Sequence, residues 1–495
     1  MPAEFKNYID GQWCDAASGR RFENRNPANW EEVLGTFPDS GAEEVDRAVR
    51  SAAAAYDAWR LTPAPKRGEI IKRTGDLLSK YKEDIAREMT REMGKVLLET
   101  RGDVQEGIDT AYYAATEGRR LFGFTAPSEL PDKFNLSVRL PIGVAGVITP
   151  WNFPMAIPTW KIFPALVCGN TVVFKPAEDT PATAARLVEI LLEAGLPDKA
   201  IQLVNGNGPS AGMPLVEHPG VNLISFTGST QVGKLISAAA SKDLKRVSLE
   251  LGGKNAQIVM PDADLDLALD GVLWGAFGTA GQRCTATSRL ILHEAIHDKF
   301  LAMLIKRAEK LRLGNGLEPA TEVGPVINQK QLDKILSYIR VGKDEGAKLE
   351  TGGERYTAGA CKNGFFIRPT IFSNVDPEMR LAKEEIFGPV LAVIKIKTFD
   401  EAIRVLNNTK YGLSSSLYTR DVNSAFKAIR DIEAGITYIN GPTIGAEAHM
   451  PFGGVKESGN GHREGGWPVF DFFTEIKTVF VDYSGKLQRA QIDNQ

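Results

Sequence analysis

Cysteine is scarce in this chain: Cys14, Cys168, Cys284 and Cys361 are four in 495 residues, and no two form a CxxC pair. Such wide spacing argues against a disulfide framework or a cysteine-rich zinc site, and it fits a reducing, cytoplasmic compartment. Neither sign of charge is in excess. Lys and Arg number 59 against 62 Asp and Glu, a net charge of −3, so no electrostatic reason exists to expect nucleic acid or an anionic membrane as partner. The opening residues lack the apolar stretch of a signal peptide. The longest uncharged run, 140–160, is interrupted by Pro141, Pro150, Pro154, Pro158 and Asn152. Prolines at that density predict buried loop and strand rather than a transmembrane helix. No repeat or low-complexity segment is present.

What remains is a globular composition, 43% hydrophobic and 24% charged, in a chain long enough for two or three domains. Amphipathic periodicity predicts helices over 42–60, 66–100 and 104–121. From Pro141 onward the texture becomes β-α-β. Strands are expected at 144–148, 171–174, 201–204, 223–226 and 246–249, with helices at 180–194 and 230–239. This is the pattern of a parallel, doubly wound sheet. A second α/β run has strands near 256–259, 289–292, 390–396, 414–418 and 436–439, with helices near 265–277, 296–311, 329–345 and 399–408. Segments 124–140 and 474–483 fit neither sheet. The alternating tail is expected to pair with 137–140 as an outlying strand, an edge suited to subunit contact.

Several short motifs carry chemistry. Cys284 lies in Gly281-Gln282-Arg283-Cys284, where an adjacent cation and exposed backbone N–H groups would favour a thiolate. Glu250 lies in Leu249-Glu250-Leu251-Gly252-Gly253-Lys254. Asn152, between Pro150-Trp151 and Phe153-Pro154, would be a rigid amide of the kind an oxyanion requires. The turn 226–234 follows a strand and opens a helix, so its N–H groups could face a phosphate. It also approaches the phosphate-loop pattern of nucleotide hydrolases, but Leu235 replaces the hydroxyl residue that pattern needs on magnesium. His293-Glu294-Ala295-Ile296-His297 is a literal H-E-x-x-H. Its first histidine falls at a strand end, so the two histidines should not share a helical face, and no metal site is expected. Lys175 and Glu178 follow a strand end, where a carboxylate can meet a ribose. Glu385-Ile386-Phe387-Gly388-Pro389 and Pro451-Phe452-Gly453-Gly454 are loops holding an aromatic among turn residues. Each motif alone could be ordinary turn or surface chemistry.

Together, and in this order, the motifs resemble the NAD(P)-dependent aldehyde dehydrogenase superfamily from about Asn7 to Tyr483. The resemblance implies a Rossmann-like dinucleotide-binding domain (1–122 and 142–252), an α/β catalytic domain (253–456) and a small β oligomerisation element (123–141 and 470–495), assembled as a homodimer or homotetramer. It implies Cys284 as nucleophile, Glu250 as general base, Asn152 and the Cys284 N–H as oxyanion donors, and Lys161 and Glu464 as proton-relay residues. For NAD, with NADP possible, it implies contacts from Ile148, Pro150, Trp151, Lys175, Glu178, Gly208, Phe226, Gly228, Ser229, Leu251, Gly252, Glu385 and Phe387. The implied reaction runs from aldehyde through a thiohemiacetal and a thioester to the carboxylic acid. Glu250 favours hydrolysis over transfer to coenzyme A, and Glu178 favours NAD over NADP. The strings 143–173 and 281–289 resemble those of 2,5-dioxovalerate (α-ketoglutaric semialdehyde) dehydrogenases. Trp160 stands where succinate-semialdehyde relatives carry an arginine, and a broad aliphatic or aromatic aldehyde range is an open alternative. A phosphate-loop hydrolase and a catalytically silent structural relative are the competing readings.

Overall fold

Alternate residues of the strand Val144–Ile148 enter two different cores. Val144 and Ile148 pack with one apolar cluster, Ala145 and Val147 with another. A strand covered on both faces belongs to the middle of a doubly wound sheet. A computed structural model of the chain describes residues 2–493. Positions 1, 494 and 495, at the ends of the expected 1–122 and 470–495 segments, lie outside them. The first sheet has seven strands in the order Arg246–Glu250, Leu223–Thr227, Val144–Ile148, Thr171–Lys175, Ile201–Leu203, Asn7–Ile9 and Gln12–Cys14. The first five pair in parallel, and the N-terminal hairpin adds antiparallel. The next strand in sequence after Val144–Ile148 lies on one side of it and Leu223–Thr227 on the other. Strand order therefore reverses at this point, and a crevice opens beyond the carboxyl ends of these two strands.

The second sheet also has seven strands, ordered Lys348–Thr351, Thr370–Ser373, Val390–Ile396, Arg289–His293, Ala256–Val259, Ser414–Tyr418 and Ile436–Ile439. Its core is a separate apolar cluster that includes the helices Leu265–Phe277 and Gln329–Asp344. The tail pairs as expected: Thr474–Asp482 runs antiparallel to Lys133–Pro141, with Thr478 opposite Ser137, and Thr125–Pro127 completes a three-stranded sheet.

Two expectations need correction, and one set of strands was missed. The span 66–100 is not one helix but Ala64–Lys80, Lys82–Met93 and the start of Leu97–Glu117. The second ends where Gly94 takes a left-handed conformation (φ 92°), which no helix interior accommodates. Nor is the 140–160 run only loop and strand, because a helix begins at Ala156 and continues to Cys168. Pro158 sits in its first turn, where its N–H would go unused. Pro164 lies inside the helix, whose residues are all buried, so packing holds it despite the lost bond. Finally, the N-terminal strands, among them Arg21–Asn26 and Asn29–Pro38, were not anticipated. Among the described residues no helix is long and apolar enough to cross a membrane.

Candidate active site

Two cavities meet at Cys284, which lines both. The larger, about 670 Å³, opens at the crevice where the first sheet reverses its strand order. Residues following the strand Val144–Ile148 (Pro150, Trp151, Asn152) form one wall, and Thr227, Gly228 and Ser229, at the end of Leu223–Thr227, form another. Ser229 caps the helix Thr230–Ala240, its Oγ accepting the Val232 N–H at 3.3 Å. The first-turn N–H groups of that helix offer an anion site. Glu178, Leu251, Gly252, Glu385 and Phe387 complete the expected lining. Glu385 is fixed by the Gly253 N–H at 3.0 Å, and a Cβ on Gly252 would lie 2.3 Å from Glu385 Oε2. A side chain at 252 would push the Glu385 carboxylate from this position. The edge of one ring meets the face of the other where Trp151 packs on Phe387, centroids 5.4 Å apart.

Four expected cofactor residues are not in the groove wall. Ile148 and Phe226 belong to the apolar core behind it. Lys175 is buried at a strand end with its ammonium 3.4 Å from Glu178. Gly208 begins a short helical turn, 208–212, outside the lining. Other wall residues went unread in the sequence, notably Gln331 and Lys334 on Gln329–Asp344. Gln331 Nε2 donates to the carbonyls of Phe387 (2.7 Å) and Ile386 (3.1 Å) and so holds that loop. Burial lowers the Lys334 pKa, and Glu385 opposes this. Polar positions on one face of an amphipathic helix give no sequence sign that they face a ligand.

The second cavity, about 100 Å³, is lined by Phe153, Ile157, Trp160, Phe452 and Leu251 among others. Trp160 and Phe452 meet edge to face at 4.8 Å. Glu250, Glu464 and Glu106 are the carboxyls in its wall. Glu250 ends the strand Arg246–Glu250 and is 3% exposed, yet neither oxygen has a hydrogen-bond partner among the described residues. Burial, then the Glu464 charge, raises its pKa well above the usual carboxylate range. Unpartnered buried carboxyls are costly and concentrate at functional sites. Lys161 forms a buried ion pair with Glu464 and also donates to Ser225 Oγ at 3.1 Å. Glu106 is pushed up to about 8 by burial and by Asp103.

Cys284 itself departs from expectation. Burial, then Glu250 and Glu385, push its thiol up to about 12, against opposing hydrogen bonds from the Thr285 and Cys284 N–H groups. Arg283 does not activate it. Its guanidinium pairs with Glu99 (3.1 Å), donates to Thr279 Oγ1 (2.9 Å) and stacks over Trp274 at 4.8 Å. Asn152 is buried; one N–H donates to the Gln282 carbonyl at 3.1 Å, and an amide nitrogen has a second to offer. The two other motifs are structural. His293 ends its strand and accepts the Ala295 N–H at 3.2 Å, capping Glu294–Ala308, while His297 is buried against Asp298. Lys234 turns to Glu457 at 2.6 Å and is absent from the groove wall, which removes the phosphate-loop reading.

A crevice of dinucleotide type that converges with an apolar pocket on one thiol defines an oxidoreductase site. The sequence matches the aldehyde dehydrogenase family over residues 13–479, and the chain belongs to that family of NAD(P)-dependent enzymes. It is 45% identical to the α-ketoglutaric semialdehyde dehydrogenase of Bacillus subtilis, over 96% of this chain and 98% of that protein. It is 43% identical to the α-ketoglutarate semialdehyde dehydrogenase of Haloferax volcanii, over 97% and 99% respectively. The crystal structure of Staphylococcus aureus betaine aldehyde dehydrogenase in complex with NAD+ superposes with a TM-score of 0.95 at 36% identity, covering 97% of this chain and 96% of that one.

Proposed function

We propose that this protein oxidises a semialdehyde, an aldehyde carrying a distal carboxylate, to the dicarboxylic acid with NAD+. The observation that carries the reaction is the position of Cys284 where the two cavities meet, with Glu250 in the wall of the smaller one. The Cys284 thiol gives its proton to water, and the sulfur adds to the aldehyde carbon. Asn152 and the Cys284 N–H receive the developing oxyanion; losing one such donor costs about 3 kcal/mol. NAD+, when bound, supplies the hydride acceptor. Glu250 then activates a water that hydrolyses the thioester, with Lys161 and Glu464 as the adjoining proton path.

The groove fits a dinucleotide. Ser229 and the helix it caps would face the pyrophosphate. Glu178, anchored by the buried Lys175 behind it, would hold the adenosine ribose, and Glu385 with Lys334 the nicotinamide ribose. Gly252 keeps Glu385 free to do so. A carboxylate at Glu178 repels a 2′-phosphate, so NAD is preferred over NADP.

For the substrate, support comes from two semialdehyde-oxidising relatives; Arg283 reaches the pocket wall but is paired with Glu99. Trp160 excludes a clamp built like that of succinate-semialdehyde enzymes. An NADH-formation screen over semialdehydes, unsubstituted aldehydes of equal length and benzaldehydes tests this. Equal kcat/KM for charged and uncharged substrates would favour the broad-range alternative.

The domain division follows the two sheets, at 1–122 with 142–252 and at 253–456, leaving 123–141 and 470–495 as the oligomerisation element. Its exposed Phe134, Ile476, Phe480 and Val481 support a homodimer or homotetramer. Four free cysteines support a cytoplasmic location.

A further inference from the structure

The loop that carries Cys284 is strained. Thr279 and Ala280, neither of them glycine, hold left-handed conformations (φ 54° and 53°), and Gly281 follows at φ 69°. Side-chain-bearing residues adopt this region only when their surroundings impose it. One flank is imposed by polar contacts from elsewhere in the site. Gln282 Oε1 accepts the Ile327 N–H at 2.9 Å, and Asn255 Nδ2 donates to the Cys284 carbonyl at 2.8 Å. The other flank is held by Gln282 Nε2, which donates to the Thr279 carbonyl at 3.1 Å, and by Glu99.

Glu99 lies in the first turn of the helix Leu97–Glu117 and is 7% exposed. Its Oε1 accepts the backbone N–H of Thr279 at 2.7 Å and the Arg283 guanidinium at 3.1 Å. Arg283 returns to the same turn through Thr279 Oγ1 at 2.9 Å. A single buried carboxylate therefore ties down both ends of the segment 279–283. It does so without lining the pocket that holds Cys284.

We propose that Glu99 is a positioning residue: it holds the left-handed turn 279–281 and Arg283 in the arrangement that presents the Cys284 sulfur at the junction of groove and pocket. The proposal rests on the reading of Cys284 as nucleophile. Glu99 lines neither cavity, and its effect passes through the loop and Arg283. Glutamine at this position keeps the shape and one acceptor oxygen but cannot neutralise Arg283. Alanine removes both contacts.

The test measures the single-turnover rate of NADH formation per titrated active site, the rate of Cys284 alkylation by iodoacetamide, and the KM for NAD+. Misplacing a reacting atom by an ångström costs roughly 100-fold. Glu99→Ala is expected to slow the single-turnover rate by roughly that factor, and Glu99→Gln by roughly tenfold, with KM for NAD+ within about twofold of wild type. A residue that serves stability alone would reduce the number of titratable sites and leave the rate per site unchanged. If Glu99→Ala does not fold, Glu99→Gln decides. Single-turnover and alkylation rates per site both within about twofold of wild type in Glu99→Gln overturn the proposal. Failure of the nucleophile reading looks different, because Cys284→Ala would then retain single-turnover NADH formation.

Discussion

The Glu250 carboxylate holds back ionisation of the Cys284 thiol. The Glu250 charge is the largest influence after burial on the Cys284 thiol, and Glu250 is itself held toward its protonated form by burial and by Glu464. The sulfur is thus held toward the thiol, and the Glu250 carboxyl in the wall of the same pocket has no hydrogen-bond partner among the described residues.

That resting state sets a pH dependence. An acid whose folded-state pKa is raised ionises only as pH climbs toward the raised value. With the thiol at about 12, alkylation of Cys284 in the absence of NAD+ should rise by about tenfold per pH unit beyond pH ~9, without a plateau. Mass spectrometry of the 284 peptide after timed iodoacetamide exposure measures it. A plateau below pH ~8.5 would mean the thiol is activated before any ligand arrives.

Stability carries the opposite sign. The unfolded thiol ionises near pH 8.5, and the folded one resists ionisation. The protein should lose stability as pH rises above that value, and Cys284→Ser should flatten the loss. Chemical denaturation of both proteins at two alkaline pH values checks this.

Gly252→Ala should damage cofactor binding more than folding. The added Cβ would fall 2.3 Å from Glu385 Oε2, so Glu385 must move. Overpacking of this size costs about 1–3 kcal/mol, and KM for NAD+ should rise by roughly tenfold or more. An unchanged KM would remove Glu385 from the ribose contact.

Glu178 governs the choice of dinucleotide. Its carboxylate is half exposed in the groove and, among the described residues, anchored only by Lys175 at 3.4 Å. Wild-type kcat/KM should favour NAD over NADP by roughly tenfold, and Glu178→Gln should narrow that ratio, since charge repulsion is removed while shape is kept. A wild-type preference for NADP would contradict the reading.

Much of this was legible in the sequence because its signals are local. Strand Val144–Ile148 is a short apolar run between turn residues, and Leu265–Phe277 has a clear N-cap in Asp264. The N-terminal hairpin was legible too but went unread: Asp10-Gly11 joins Asn7–Ile9 to Gln12–Cys14 with both residues at positive φ, the favoured two-residue turn. The helix Ala156–Cys168 was hidden by its prolines, because tertiary burial overrides a propensity that sequence reading must respect. In the site, Cys284, Glu250 and Asn152 stood out through their motifs. Lys334, Glu106 and Glu99 did not, since a polar residue on a helix looks the same whether it faces water or a buried loop. The cation beside Cys284 misled for a related reason: adjacency in sequence does not say that Arg283 turns to Glu99.

The central claim is that Cys284 holds the acyl group and Glu250 releases it. Glu250→Gln, mixed with NAD+ and a semialdehyde, then digested and analysed by mass spectrometry, tests both halves. The account predicts a single burst of NADH, turnover lowered by roughly 100-fold or more, and the acyl mass on the peptide containing Cys284. Full turnover with an unmodified Cys284 would contradict it.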